Sequence, residues 1–225
     1  MKKQRILSSS SLLKKEFKML KFEGFWADML GEPESNFKAL VWGPAASGKS
    51  TLTLRLCDYL TKWGKVGYNT WEEGHAKTFK DRLNSNNIDN PKLFVIEKYS
   101  FEEMMSDDFK RKGYKTIVID SLQYAHFSYD QYKKLVARYP SKIIILISQV
   151  NGRGRIKGGT DFLHAVDMKI YCNNGMAQVQ SRFTDEKTVQ IFEKKIKAGE
   201  QAKLFVGNAT CMPKPALNGV TVKSN

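Results

Sequence analysis

Short apolar runs alternate with longer stretches of helical periodicity along most of this chain. Runs at 37–42, 66–70, 93–96, 116–120 and 143–148 have strand length and are enriched in β-branched and aromatic residues. Residues 143–147 read IIILI, five apolar residues without a polar interruption, the pattern of a strand buried on both faces. Between these runs the spacing predicts helices near 49–63, 74–84, 101–112 and 129–138. After residue 160 it predicts a short helix, then hairpin strands at 168–172, 176–181 and 188–192. The alternation implies an α/β fold with a mainly parallel central sheet flanked by helices, extended at its C-terminal end by a β-hairpin.

The ends of the chain read differently. A basic amphipathic helix is expected over residues 12–20, outside the core, so residues 1–30 form a basic N-terminal arm and 31–198 the folded core. Residues 199–225 lack periodicity, include Pro213 and Pro215, and are expected to be a flexible tail. There are no internal repeats.

Composition narrows the function classes. At 225 residues and 41% hydrophobic content the chain can bury one domain's core. No apolar run is long enough to cross a membrane, and the start, MKKQRILSSSSLLKKE, has no apolar signal core, so a cytoplasmic protein without a membrane partner is expected. Three scattered cysteines form neither a disulfide framework nor a zinc spacing. A formal charge of +14 favours a polyanionic partner, nucleic acid first.

Residues 43–50, GPAASGKS, match G-x-x-x-x-G-K-[ST] between a predicted strand and a predicted helix. The glycines let the backbone N–H groups turn toward phosphate oxygens, and the helix N-terminus adds a favourable field. Gly43, Pro44, Ala45, Ala46, Ser47, Gly48, Lys49, Ser50 and Thr51 are therefore the expected cradle of a nucleoside triphosphate, with ATP and Mg²⁺ as cofactors. Lys49 is expected on the β- and γ-phosphates and Ser50 on the metal. The run TIVID ends in Asp120 at the carboxyl edge of the sheet, the position of a metal-holding acid.

The stretch YNTWEEG, residues 68–74, ends a predicted strand at the same edge and places Glu72 beside Glu73. By themselves the two acids are either solvated charge or a carboxylate able to polarise water. The order of P-loop, strand ending in Glu, and acid-terminated strand resembles the RecA-type ATPase core, and within it the RadA and replicative DnaB-helicase branch. The resemblance covers residues 31–197 and puts Glu72 on the catalytic carboxylate and Glu73 on its neighbour. ISQV, residues 147–150, resembles the strand end that senses the γ-phosphate, which makes Gln149 the sensor. FLHAVDMKIY, residues 162–171, resembles the L-E-H-x-V-D segment of RadA, with His164 read as a hydrogen-bonded helix residue.

VQSRFTDEK, from residue 179, resembles the K-N-R-F-G segment, whose basic residues reach a neighbouring subunit's nucleotide. Arg182 takes the arginine position. Gln180 stands where the family has lysine, and Thr184 where it has glycine. The zinc module and protease-like domain of RadA have no counterpart in these residues, so a stand-alone core is expected.

The loop NGRGRIKGG, residues 151–159, carries Arg153, Arg155 and Lys157 at alternate positions among glycines. A flexible loop of this kind can follow a phosphate backbone. Tyr124, Phe127 and Tyr129 are candidates for base stacking beside it. The resulting expectation is an oligomeric, DNA-stimulated ATPase of recombination, repair or replication that acts on single-stranded DNA. A KaiC-like regulatory or assembly ATPase that does not touch DNA is the alternative. A small-molecule P-loop kinase is the third, disfavoured by the SQV and SRF segments. A further expectation is that strand 143–148 lies between strands 37–42 and 116–120.

Overall fold

The structure is a computed structural model that describes residues 6–152 and 154–192, together with strand residues 210–211. Nine strands form one sheet: β1 (Lys38–Gly43), β2 (Val66–Thr70), β3 (Leu93–Glu97), β4 (Thr116–Asp120), β5 (Ile143–Gln149), β6 (Met168–Asn173), β7 (Met176–Ser181), β8 (Lys187–Gln190) and β9 (Thr210–Cys211). Their order is β3-β2-β4-β5-β1-β6-β7-β8-β9. The strands from β3 to β6 are mutually parallel, and β6, β7 and β8 form an antiparallel meander. As expected, β5 separates β1 from β4.

The unbroken apolar pattern of β5 has a direct structural cause. Ile143, Ile145 and Ile147 pack into one core cluster, and Ile144 and Leu146 into the cluster on the opposite face. Val118 of β4 and Val41 of β1 face the first cluster, while Ile117, Ile119 and Leu40 face the second. Helix α3 (Lys49–Leu60) belongs to the first layer through Leu52, Leu56 and Leu60. Helices α5 (Phe101–Met105), α6 (Asp107–Arg111), α7 (Tyr129–Arg138) and α8 (Asp161–Ala165) build the second.

Several boundaries differ from the sequence reading. The helix expected over 101–112 is two helices, because Ser106 takes an extended conformation and its side chain caps α6 at Phe109 N (3.1 Å). Helix α4 spans Lys77–Ser85, starting three residues later than expected. The amphipathic helix expected over 12–20 is not formed. Helix α1 covers Ser9–Leu13, and the chain then extends to Met19, which bridges Glu34. Leu20 and Phe22 are buried in the first core cluster with Trp26, Met29 and Leu30 of helix α2 (Gly24–Leu30), so this part of the arm belongs to the core. Its anchor is aromatic. Phe22 lies 5.3 Å edge-on from Tyr59 and 5.3 Å from Trp63, and the Tyr59 hydroxyl accepts from Glu23 N (2.8 Å). In the expected tail, Thr210–Cys211 pairs with β8, and the other residues of 199–225 lie outside the described ones.

Candidate functional site

Four parallel strands end at one edge of the sheet in register. Gly43 of β1 lies opposite Gln149 of β5, Ile147 of β5 opposite Asp120 of β4, and Asp120 opposite Thr70 of β2. The connections leaving those ends carry the chemistry-bearing residues. A cavity of about 210 Å³ opens there, lined by residues 45–51, Glu72, Glu73, Arg82, Asp120, Ser121, Ile147, Gln149 and Phe192.

The cradle's shape follows from two glycines. At Gly43 a Cβ would lie 1.9 Å from the carbonyl oxygen of Cys172, so only glycine lets β1 pass β6 at this point. Gly48 has φ +100 and caps α3, and a Cβ there would meet the Phe192 ring at 2.7 Å. Lys49 follows immediately, buried, with Nζ donating to Pro44 O at 2.5 Å. Burial holds its pKa below the ordinary lysine value.

Asp120 is buried at the floor of the site. Burial pushes its carboxyl up to about 6, partly opposed by the hydroxyl of buried Tyr68, which donates to Oδ2 at 2.5 Å. The neighbouring charge of Glu72 adds to the upward shift. Ser47 Oγ, Ser121 Oγ and Glu73 Oε2 are buried around the cavity without a hydrogen-bond partner among the described residues. A cavity wall with unmatched hydroxyls, a buried lysine and curled backbone suits a phosphate chain. Ser50 and Asp120 are among the oxygen donors lining the cavity that could hold Mg²⁺.

The two adjacent glutamates separate. Glu73 is ion-paired with Arg82 of α4, and the two side chains are 21% and 26% exposed. Glu72 is exposed, and its Oε1 accepts from Gln149 Nε2 at 3.4 Å. Glu72 is the acid left facing the cavity mouth without a cationic partner among the described residues. Arg82 and Phe192 are cavity residues that sequence reading missed. Neither lies in a motif: Arg82 sits ten residues after Glu72 on a polar helix, and Phe192 follows the last hairpin strand.

Gln149 also touches the glycine-rich loop. Its carbonyl accepts from Lys157 N (2.8 Å), the Gln149 N–H donates to Gln123 Oε1 (3.3 Å), and the adjacent Ser148 Oγ donates to Lys157 O (2.6 Å). Arg155 and Lys157 are exposed on this loop, while Arg153 lies outside the described residues. Of the stacking candidates, Tyr124 is 47% exposed, whereas Phe127 is a buried core residue and Tyr129 packs on Tyr132 and Phe162. His164 is exposed on α8.

Arg182 is not brought into this cavity. It follows β7 at the opposite end of the sheet, where its Nη1 lies 3.2 Å from Asp167 Oδ1 and Asp167 Oδ2 accepts from Lys38 N (2.8 Å). The length of β1, roughly 17 Å at the usual strand rise, separates it from its own P-loop. Gln180 stands directly across from Lys169, whose Nζ donates to Gln180 Oε1 at 3.3 Å, so a cation from β6 is present at that level.

No family model matches the chain. In sequence it is similar to the DNA repair protein RadA of Campylobacter jejuni, 27% identical over 188 residues, covering 73% of this chain. The chain spans 41% of that relative's length. In structure it is similar to the KaiC-like protein PH0186 of Pyrococcus horikoshii, with a TM-score of 0.55, 15% identity, and coverage of 77% of this chain and 94% of the other. It is also similar to the flagellar accessory protein FlaH of Methanocaldococcus jannaschii, with a TM-score of 0.54, 17% identity, and coverage of 74% and 88%. A third solved structure, an ATPase domain, gives 0.53 at 14% identity, with coverage of 72% and 83%. With a P-loop at the end of β1, an acid at the end of β4 and β5 between them, the chain has the RecA-like P-loop ATPase fold.

Proposed function

We propose that the protein hydrolyses ATP with Mg²⁺ and uses the cycle to switch a basic loop's hold on single-stranded DNA, as an oligomer with ATP sites between protomers. One observation carries this reading. Gln149 joins the nucleotide cavity to the basic loop, through its side chain to Glu72 (3.4 Å) and its main-chain carbonyl to Lys157 N (2.8 Å). A change at the cavity mouth therefore acts on the backbone that presents Arg155 and Lys157.

In this reading Lys49 and the backbone N–H groups of 45–51 bind the phosphates, and Ser50 and Asp120 hold the metal. Mg²⁺, when bound, offsets charge on the phosphate oxygens. Glu72 orients and deprotonates the attacking water, because it stands in the cavity lining beside Gln149. Arg182, remote from its own cavity, serves the next protomer's nucleotide. The name of the RadA relative, a DNA repair protein, supports DNA as the polyanion matched to the +14 charge.

The test is ATPase activity with and without single-stranded DNA, together with the salt dependence of DNA binding. Stimulation by DNA is expected, and Arg155→Ala with Lys157→Ala should lower the slope of log K against log salt by ~1.4, two phosphate contacts' worth. No stimulation and no binding would refute DNA as the partner. That outcome would favour an assembly switch acting on protein. The apolar residues exposed in the arm, Ile6, Leu7, Leu12, Leu13, Phe17 and Met19, support this second reading.

A further inference from the structure

Glu73 and Arg82 do more than decide between two glutamates. Beside the P-loop residues the cavity is lined by three carboxylates, Glu72, Glu73 and Asp120. Even with Mg²⁺ held at Ser50 and Asp120, a terminal phosphate among these residues faces the negative charge of Glu72 and Glu73, which a second cation in the lining would offset. Among the described residues Lys49 and Arg82 are the cations lining the cavity, one from the P-loop and one from α4. Arg82 is held through a single carboxylate oxygen, Glu73 Oε1, while Glu73 Oε2 is buried with no partner. The pairing is therefore one-point rather than the two-point fork a guanidinium forms with a well-matched anion. A phosphate offers such a fork. The Arg82 side chain is a quarter exposed and hangs from α4 toward the cavity, so it can change partners without unfolding its helix.

We propose that Arg82 is a second phosphate-binding cation of the same protomer, stored on Glu73 in the nucleotide-free protein and transferred to the terminal phosphate of a bound triphosphate. This rests on the ATP reading above and adds to it a device for telling triphosphate from diphosphate. Lys49 lies in the P-loop and contacts either nucleotide, whereas Arg82 reaches across only when a third phosphate is present. Glu73 is then a storage partner, and its release accompanies ATP binding. Arg82 acts by positioning and charge, with no bond made or broken at its own atoms.

The experiment compares equilibrium affinities for ADP and for the β,γ-imido analogue of ATP, both with Mg²⁺, in the full chain. Arg82→Gln should weaken the analogue by about 10- to 100-fold, the scale of a hydrogen bond to a charged group, and ADP by no more than about threefold. Arg82→Lys should recover part of that loss. Glu73→Gln, which frees the guanidinium, should tighten the analogue and leave ADP unchanged, and the gain should vanish when Arg82→Gln is added. The double variant removes both charges together, so it also serves if Arg82→Gln alone folds poorly. Equal weakening of both nucleotides by Arg82→Gln would show that the pair only braces the loop against α4. A gain from Glu73→Gln that persists without Arg82 would likewise overturn the transfer. Wild-type protein that binds neither nucleotide sinks the ATP reading itself. Wild-type protein that binds both, with a ratio insensitive to Arg82→Gln, sinks this inference alone.

Discussion

Replacing Asp120 by asparagine exchanges a buried acid for a neutral group of the same shape. In the folded protein this carboxyl titrates near 6 rather than its usual 3.8, because burial disfavours the charged form. The sign follows from that direction. A group whose folded pKa is raised contributes stability below its unfolded value and loses it as pH rises through the folded value. At pH 8 the wild-type protein therefore carries the full cost of an ionised, buried Asp120, ~3 kcal/mol for a shift of this size. Asparagine's carbonyl can still accept from the Tyr68 hydroxyl, so the variant keeps that contact and drops the charge. Metal-free Asp120→Asn should melt higher than wild type at pH 8 by about 6–12 °C. The gap should shrink to about half by pH 5, where the native carboxyl is mostly protonated. Thermal melts in chelator across pH 5–8 give the difference, and contributions from titrating groups remote from Asp120 cancel between the two proteins. Added Mg²⁺ with nucleotide should stabilise wild type more than the variant, which keeps the P-loop and Ser50 but lacks the Asp120 charge. An asparagine variant that melts at or below wild type at pH 8, or a gap independent of pH, would refute the account of Asp120 as a strained acid kept for a cation.

Two further outcomes test the hydrolytic assignment. Glu72→Gln should keep nucleotide binding while lowering turnover by about 10² or more, the scale of losing a general base, whereas Lys49→Ala should lose binding itself, both read by titration and phosphate release. ATPase activity per protomer should rise with protein concentration, and Arg182→Ala should abolish the rise. Mixing Arg182→Ala with Glu72→Gln protein should restore some activity, since each supplies the half-site the other lacks. A co-assembled mixture as inactive as its parts would place Arg182 outside the nucleotide sites.

The parts of this protein legible in sequence are those governed by local pattern. The five-residue apolar run of β5 has to be buried on both faces, and that places it inside a parallel sheet with helices on either side. The P-loop is legible because phosphate chemistry demands glycine at fixed spacing: Gly43 for the close pass against Cys172, and Gly48 for a left-handed turn into α3. Asp120 is legible as the acid ending a buried strand. Tertiary structure decided what depends on partners distant in the chain. Residues 20–30 look like a continuation of a basic arm until Phe22 and Trp26 meet Tyr59, some thirty-five residues later, and the burial of aromatic surface outweighs the local helical pattern over 12–20. Glu72 and Glu73 are equivalent neighbours in the chain. They differ because Arg82, brought back by α4, takes one of them and leaves the other beside Gln149. Arg182 sits far from the P-loop's end of the sheet for a reason no motif states: antiparallel pairing on β6 turns β7 back toward the start of β1. Periodicity reports which face of an element is buried, but charge pairing across a cavity depends on where separate elements meet.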